Sequence, residues 1–160
     1  MAGNEPELLY WDADVFLAFV NGEDGRVNDI RGLLAEADEK RVRIVTSVLT
    51  VTEVAFATSE KLAGSLDDDI AGRIRGLWLP PSPISLVELH FGVATRSRDL
   101  IRIAVEREWS LKPADSIHLA TAESLNVTKL HTYNLADFQR WAEVLGFTVE
   151  HPVSANPGML

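Results

Sequence analysis

Residues 8 to 20 read LLYWDADVFLAFV, and this one segment already indicates the class of protein. Its first four residues form a short apolar run that ends at Asp12, which is typical of a buried strand. VFLAFV then leads to the turn NGEDG, which suits a helix followed by a tight turn. The order strand, carboxylate, helix, turn predicts the opening unit of an α/β protein.

The same alternation continues along the rest of the chain. RIVTS predicts a second strand, and VLTVTEVAFATSEKL a helix that follows it directly. The prolines at 80, 81 and 83 end a helix that the aspartates at 67 to 69 begin. Further segments complete the series: a helix with apolar residues at 27, 30, 33, 34 and 37, a strand ISLVEL, a helix over about 90 to 108, a helix PADSIHLATAESL, a strand VTKLHTY, a helix ADFQRWAEVLG and a strand FTVEHP. This alternation predicts a parallel sheet with helices on both faces.

The composition bounds the domain organisation and the chemistry. We expect one domain over residues 1–153 and a flexible C-terminal tail at 154–160, since 160 residues suffice for one hydrophobic core. The chain has no cysteine, so oxygen or imidazole ligands would have to hold any metal. The apolar runs fall short of the roughly 18 residues of a membrane helix, and MAGNEPEL is acidic, unlike a secretory signal. We therefore expect a cytoplasmic protein.

The net charge argues against non-specific binding of nucleic acid. Fifteen Lys and Arg residues against 24 Asp and Glu residues give a charge of −9, which repels a polyanion. A nucleic-acid substrate would therefore need a local group of cations. The candidates are one helix of three arginines and a nearby lysine, for which the alternative is an ordinary solvated surface: Arg96, Arg98, Arg102 and Lys112.

Carboxylates follow three of the predicted strands. Asp12, Glu53 and Asp137 each come just after a strand, and the carboxyl ends of parallel strands meet at one edge of the sheet. Neighbouring carboxylates repel by about 1 to 4 kcal/mol per pair, so such a cluster favours a hard divalent cation. Each acid also has a local interpretation as a helix cap or a first-turn acid: Asp12 as an N-cap, Thr50 with Glu53 as a capping box, Asp115 beside Pro113, and Asn134 with Asp137.

Taken together, four segments resemble the PIN-domain family, specifically its VapC-type toxins: LLYWDADVFLAF, SVLTVTEV, KPADSIHLATA and LHTYNLADF. The resemblance covers nearly the whole chain. It implies a three-layer α/β/α sandwich with a central five-stranded parallel sheet, and an acidic pocket of Asp12, Glu53, Asp115 and Asp137. It also implies RNA cleavage with Mg²⁺ or Mn²⁺, a homodimer, and a VapB-like antitoxin partner in a type II toxin-antitoxin pair.

Within this resemblance each acid has an expected role. Asp12, Asp115 and Asp137 would be metal ligands, and Glu53 would bind metal or act as the base that orients water. Residues expected to support them are Asp14, Asn134, Thr50 and Ser116. Asp14 stands where many relatives have Ser or Thr, and Asn134 where some have a second acid. His118 lies on about the same helix face as Asp115, as a packed core histidine or as a group at the pocket.

Two other functions compete with this one. Asp12-Ala-Asp14-Val also resembles the opening motif of haloacid-dehalogenase-like phosphatases, in which Asp12 would be the nucleophile. The late glycine-aspartate metal motif of that family is missing from the sequence. A catalytically degenerate PIN-fold protein that only binds a partner is the second alternative, and the charge of −9 and Asn134 favour it.

Overall fold

A parallel five-stranded sheet forms the centre of the molecule in the computed structural model, which describes residues 5–157. The strand order is β3-β2-β1-β4-β5, and every neighbouring pair is parallel. The strands are β1 (Glu7–Trp11), β2 (Val42–Ser47), β3 (Ile84–Val87), β4 (Lys129–His131) and β5 (Thr148–Glu150). This confirms the predicted parallel sheet.

Helices cover both faces of the sheet, which confirms the three-layer α/β/α architecture. The helices are α1 (Ala13–Val20), α2 (Val27–Asp38), α3 (Leu49–Glu53), α4 (Thr58–Ala63), α5 (Asp68–Trp78), α6 (Phe91–Glu106), α7 (Pro113–Ser124), α8 (Leu135–Phe138) and α9 (Ala142–Leu145), with a short 3-10 helix at Gln139–Trp141. Buried residues of α1, α2 and α5 share one apolar core, and those of α6, α7 and the C-terminal helices share the other.

The two cores follow from the alternation of side chains along the strands. In β1, Trp11 packs in the core with α1 and α2, while Tyr10 points to the opposite face among α6 and α7. In β2, Ile44 and Val45 divide in the same way. A buried side chain of this size contributes about 1.5–3 kcal/mol, so both layers are held by the hydrophobic effect.

The position of β1 fixes where a site can form. The chain runs outward from β1 to β2 and β3, then returns over the other face to β4 and β5, so β1 lies between strands reached in opposite directions. In open α/β sheets this switch point, at the carboxyl ends of the strands, is where ligands bind. Asp12 is the first residue after β1 and therefore lies at the switch point.

Two predicted helices are interrupted in the structure. The segment 48–62 was expected as one helix, but α3 ends at Glu53 and α4 begins at Thr58. Its β-branched residues weaken helix propensity, and burial of Val54 and Ala57 stabilises the extended connection. The helix expected at 136–146 tightens into 3-10 geometry at Gln139–Trp141. The tighter turn places residues three apart above one another.

The C-terminal segment packs further than expected. The backbone N–H of Ser154 donates to Asp29 Oδ1 at 3.0 Å, and Ser154 is buried. A Cβ on Gly32 would lie 2.5 Å from the carbonyl oxygen of Asn156, so only glycine allows this approach. Packing against α2 therefore extends past the expected boundary at 153 to Asn156. Residues 1–4 and 158–160, which the predicted domain and tail include, lie outside the described residues.

No helix among residues 5–157 has the length and apolar character that crossing a membrane requires.

Candidate active site

Asp12 combines a structural role with a place at the sheet edge. It is the N-cap of α1, and its Oδ1 accepts a hydrogen bond from the N–H of Ala13 at 2.8 Å. The residue is only 6% exposed. Burial raises the pKa of this carboxyl, and the Glu53 charge adds to the rise, against the opposing effects of His118 and the hydrogen bonds from Thr132 and Ala13. Asp12 therefore caps α1 and at the same time lies at the carboxyl end of β1.

Thr132, directly after β4, links Asp12 to Asp14. Its hydroxyl oxygen lies 3.0 Å from Asp12 Oδ2 and 3.1 Å from Asp14 Oδ2. Asp14 Oδ2 also accepts from the N–H of Tyr133 at 3.0 Å. Burial, together with the charge of Asp12, raises the pKa of Asp14 to about 7. Because the hydroxyl has a single hydrogen, it donates to one carboxylate at a time, and the other carboxyl can bond to it only when that carboxyl is protonated.

Glu53 turns toward the sheet edge from the last residue of α3. Its Oε1 lies 2.5 Å from Nε2 of His118, on α7. The capping-box interpretation is wrong: Thr50 lies inside α3, and its hydroxyl contacts Thr46 Oγ1 at 2.7 Å. Glu53 is therefore available to the pocket.

His118 lies among the acids and is completely buried. Its Nε2 is 3.6 Å from Asp12 Oδ1, and its Nδ1 is 2.6 Å from Tyr10 Oη. Burial alone would lower the pKa of His118, but the hydrogen bond to Glu53 and the charges of Asp12, Glu53 and Asp115 outweigh burial and raise it. His118 is thus a hydrogen-bonded histidine packed at the edge of the core, as the sequence predicts, and it contacts Asp12 and Glu53 from there.

Asp115 lies in the first turn of α7, three residues before His118. Its pKa is raised to about 6, first by burial and then by the negative charge of Asp12, with further contributions from Asp137 and Glu53; His118 opposes the rise. A carboxyl responds to other charges in this way only when they lie close by. In the geometry, Asp12 and Glu53 meet at His118 of α7, at 3.6 Å and 2.5 Å from its Nε2, and Asp115 precedes His118 by one turn of the same helix.

Two of the expected supporting residues face elsewhere, and one faces the pocket acids. The amide nitrogen of Asn134 donates to Asp137 Oδ2 at 2.9 Å, which orients that carboxylate. Ser116 instead donates to Pro113 O and contacts the hydroxyl of Ser97 on α6. Thr50 contacts the hydroxyl of Thr46, which donates to Trp11 O. These two stabilise the packing of elements around the pocket.

The pocket suits a hard cation by its donor chemistry. Its oxygen atoms come from carboxylates, as Mg²⁺ and Mn²⁺ prefer, and Asp14 Oδ1 is buried without a hydrogen-bond partner in the described structure. None of the four acids pairs with Arg or Lys within residues 5–157. In that same part of the chain, however, no three Asp, Glu or His side chains are arranged as a ready-made ion site.

The candidate phosphate-binding cations differ in how far they are already engaged. Arg96 forms two hydrogen bonds with Glu123, at 2.7 and 3.0 Å, and Arg98 contacts Asp99 at 3.4 Å. Arg102 and Lys112 are exposed. A further cation, Arg26, contacts Glu23 at 3.3 Å; its guanidinium lies 4.0 Å from the Tyr133 ring centre and lowers the pKa of Asp14.

Sequence reasoning missed Tyr10, Thr132 and Arg26. Tyr10 reads as one more apolar strand residue, and only the alternation along β1 could have shown that its hydroxyl points toward α7. Thr132 lies directly after the fourth strand, which is the same signal that identified Asp12. Nothing near Arg26 in the sequence distinguishes it from any other surface arginine.

Comparison with known proteins places the fold. Residues 9–144 match the PIN domain family. Similar solved structures include VapBC2 from Rickettsia felis bound to a promoter DNA fragment, with a TM-score of 0.66 at 10% identity over 90% of this chain and 98% of that one. VapC20 from Mycobacterium tuberculosis, described as a sarcin–ricin loop cleaving toxin, gives 0.60 at 14% identity over 79% and 89%. FitAcB from Neisseria gonorrhoeae gives 0.63 at 15% identity over 90% and 97%.

At these low identities the likeness to solved structures concerns the fold alone. No curated protein matches the chain. The family match spans most of the chain, from β1 to α9, and includes all four segments that carry the acids. This chain belongs to the PIN domain family.

Proposed function

We propose that this chain is a metal-dependent endoribonuclease that acts as the toxin of a type II toxin-antitoxin pair. The observation that carries the proposal is the contact of His118 with two of the acids from different segments: its Nε2 lies 3.6 Å from Asp12 Oδ1 and 2.5 Å from Glu53 Oε1. Family membership and the place of Asp12 at the switch point of the sheet support it.

The acids divide into two roles in this proposal. Asp12, Asp115 and Asp137 would hold Mg²⁺ or Mn²⁺, and Glu53 would hold metal or orient the attacking water as a base. A bound cation lowers the pKa of water and stabilises charge on a scissile phosphate. Thr132 keeps Asp12 and Asp14 in place, and Asn134 keeps Asp137 in place. Phosphodiester hydrolysis therefore needs no protein nucleophile.

The proposed partners follow from the relatives. The similar structures include VapBC complexes, and VapC20 is described as cleaving the sarcin–ricin loop. By extension we propose RNA as the substrate of this chain, a VapB-like antitoxin as its partner, and a homodimer as its assembly. The net charge of −9 makes a neutralising protein partner with a basic contact surface the better electrostatic fit.

The two alternative functions, a phosphatase and a partner-binding protein without catalysis, are supported to different degrees. Membership in the PIN domain family argues against a haloacid-dehalogenase-like phosphatase. In addition, Asp14, which would be the acid or base of such an enzyme, is hydrogen-bonded to Thr132 and to the backbone of Tyr133. A partner-binding protein without catalysis is favoured by one observation, that residues 5–157 contain no ready-made ion site. The nuclease experiment distinguishes this alternative from the proposal.

The test is RNA cleavage by purified chain with Mg²⁺ or Mn²⁺, with and without a chelator. Asp12→Asn removes one charge at nearly constant volume, and we expect it to abolish cleavage. Asp38→Asn changes an exposed acid at the end of α2 and serves as the matched control. Equal cleavage by wild type and Asp12→Asn would point to a contaminating nuclease, and no cleavage by wild type favours the partner-binding alternative.

A further inference from the structure

A chain of hydrogen bonds connects the backbone of β2 to the acidic pocket. The N–H of Ser47 donates to Tyr10 Oη at 3.1 Å, Oη lies 2.6 Å from His118 Nδ1, and His118 Nε2 lies 2.5 Å from Glu53 Oε1. Tyr10, Ser47 and His118 are fully buried, whereas the Glu53 side chain is 27% exposed. The chain thus starts in the core and ends at the mouth of the pocket.

The direction of these bonds can be read from their donors. A backbone N–H can only donate, so Tyr10 Oη accepts from Ser47, and its own hydrogen is free to point at His118 Nδ1. With Nδ1 as acceptor, the hydrogen of the neutral imidazole is on Nε2, facing Glu53. If the ring takes a second proton, that proton goes to Nδ1 and Nε2 still donates. Glu53 therefore receives a hydrogen bond from His118 in either state.

Glu53 needs such an anchor because of where it lies. It is the last residue of α3, a helix of five residues, and the chain leaves helical geometry immediately after it. In the described part of the chain, His118 is the hydrogen-bond partner of Oε1, and Oε2 has none. His118, by contrast, is held at both ring nitrogens and packs edge-on against Tyr10, with ring centres 5.7 Å apart. The ring, which is held at both nitrogens, therefore orients the carboxylate, which is held at one oxygen.

We propose that His118 is a positioning residue that fixes Glu53 at the acidic pocket, and that Tyr10 holds His118 in the orientation this requires. One oxygen of Glu53 is then occupied by His118, which leaves Oε2 to face water or an ion. The effect on catalysis rests on the proposed function. The hydrogen-bonded chain itself does not, so the two can be tested separately.

The hydrogen-bonded chain is tested on metal-free protein by nitrogen-15 NMR of the histidine rings. We expect a hydrogen on Nε2 of His118, a change at that N–H in Glu53→Gln, and a change at Nδ1 in Tyr10→Phe. Thr121→Val removes another buried hydroxyl from α7, one that bonds only to Ile117 O, and should change neither signal. A bare Nε2, or an Nε2–H signal unaffected by Glu53→Gln, would overturn the proposal.

The catalytic effect is tested with the kinetics of RNA cleavage. His118→Gln keeps an amide nitrogen near the place of Nε2, whereas His118→Asn is too short to reach Glu53. We expect kcat to fall about tenfold or more in His118→Asn with KM little changed, and to recover partly in His118→Gln. Tyr10→Phe should lower kcat less than His118→Asn does, and Thr121→Val should leave it at the wild-type value.

A double-mutant cycle separates positioning from general packing. If His118 and Tyr10 act through Glu53, Tyr10→Phe should have no further effect on the residual kcat of Glu53→Gln. The same fold loss on both backgrounds would overturn a positioning role. Absence of cleavage by wild type would instead refute the proposed function and with it the catalytic role, while the NMR result still decides whether the hydrogen-bonded chain exists.

Discussion

The indole N–H of Trp11 donates a hydrogen bond to Nδ1 of His131, at 3.0 Å, across the adjacent strands β1 and β4. Since Nδ1 accepts, the buried imidazole is neutral and carries its hydrogen on Nε2. Burial lowers the pKa of His131 to about 4; Lys129 acts in the same direction, and Glu150, 3.8 Å from Nε2, opposes both. The neutral ring is thus part of how the central strands are joined.

Acid should destabilise the fold through His131. The unfolded chain takes up this proton near pH 6.5 and the folded chain only near pH 4, so the contribution is full above pH 6.5 and is lost as the pH falls toward 4. The loss amounts to at most about 3 kcal/mol. Urea unfolding should show a smaller loss between these pH values in His131→Asn than in wild type. An unchanged slope, or the same change in the exposed-residue control His151→Asn, would contradict this.

Asp14 should act in the opposite direction. Its folded pKa of about 7 is above the ordinary value of 3.8, so its charged form destabilises the folded state most above pH 7. Asp14→Asn removes that charge and keeps an oxygen that can accept from the Tyr133 N–H. In the presence of a chelator, Tm should rise by several degrees at pH 8.5, and the gain should shrink toward pH 5. A fall in Tm at pH 8.5, or an equal rise in Asp38→Asn, would contradict this.

Divalent cations should stabilise the folded chain if the acids bind them. A cation that binds only the folded state raises Tm by an amount that grows with the ratio of its concentration to Kd, and removal of a ligand raises Kd. We expect Mn²⁺ to raise the Tm of wild type and to raise that of Asp12→Asn or Asp115→Asn much less, as measured by differential scanning calorimetry. Equal shifts in all three proteins would place the cation elsewhere.

Arg26 should contribute to RNA binding more than the arginines of α6. Arg26 lies 4.0 Å from the Tyr133 ring centre and lowers the pKa of Asp14, although it also contacts Glu23 at 3.3 Å. Arg96 is held by two bonds to Glu123, and Arg98 contacts Asp99 on its own helix at 3.4 Å. Loss of one phosphate contact weakens RNA binding and reduces the slope of the logarithm of the binding constant against the logarithm of salt concentration by about 1. We therefore expect Arg26→Gln to raise KM for RNA several-fold, measured at two salt concentrations, with Arg98→Gln as the matched control. A larger effect of Arg98→Gln would restore the α6 strip as the phosphate site.

Two predictions made from local sequence patterns were wrong. Thr50 and Glu53 have the spacing of a capping box, yet α3 begins one residue before Thr50, and its hydroxyl turns to Thr46. A long apolar pattern over 48–62 indicated one helix, but the β-branched residues and the burial of Val54 interrupt it. In both cases contacts with the rest of the molecule outweighed a weak local preference.

The sequence alone predicted the order of strands and helices, the parallel sheet and the place of Asp12 after β1. It could do so because periodicity and chain breaks are properties of neighbouring residues. The contacts that shape the pocket were not. Tyr10 meets His118 across 108 positions, Glu53 meets His118 across 65, and Thr132 meets Asp12 across 120. Such pairs exist only once the strands align and the helices pack, so the tertiary structure decided which buried polar groups satisfy each other.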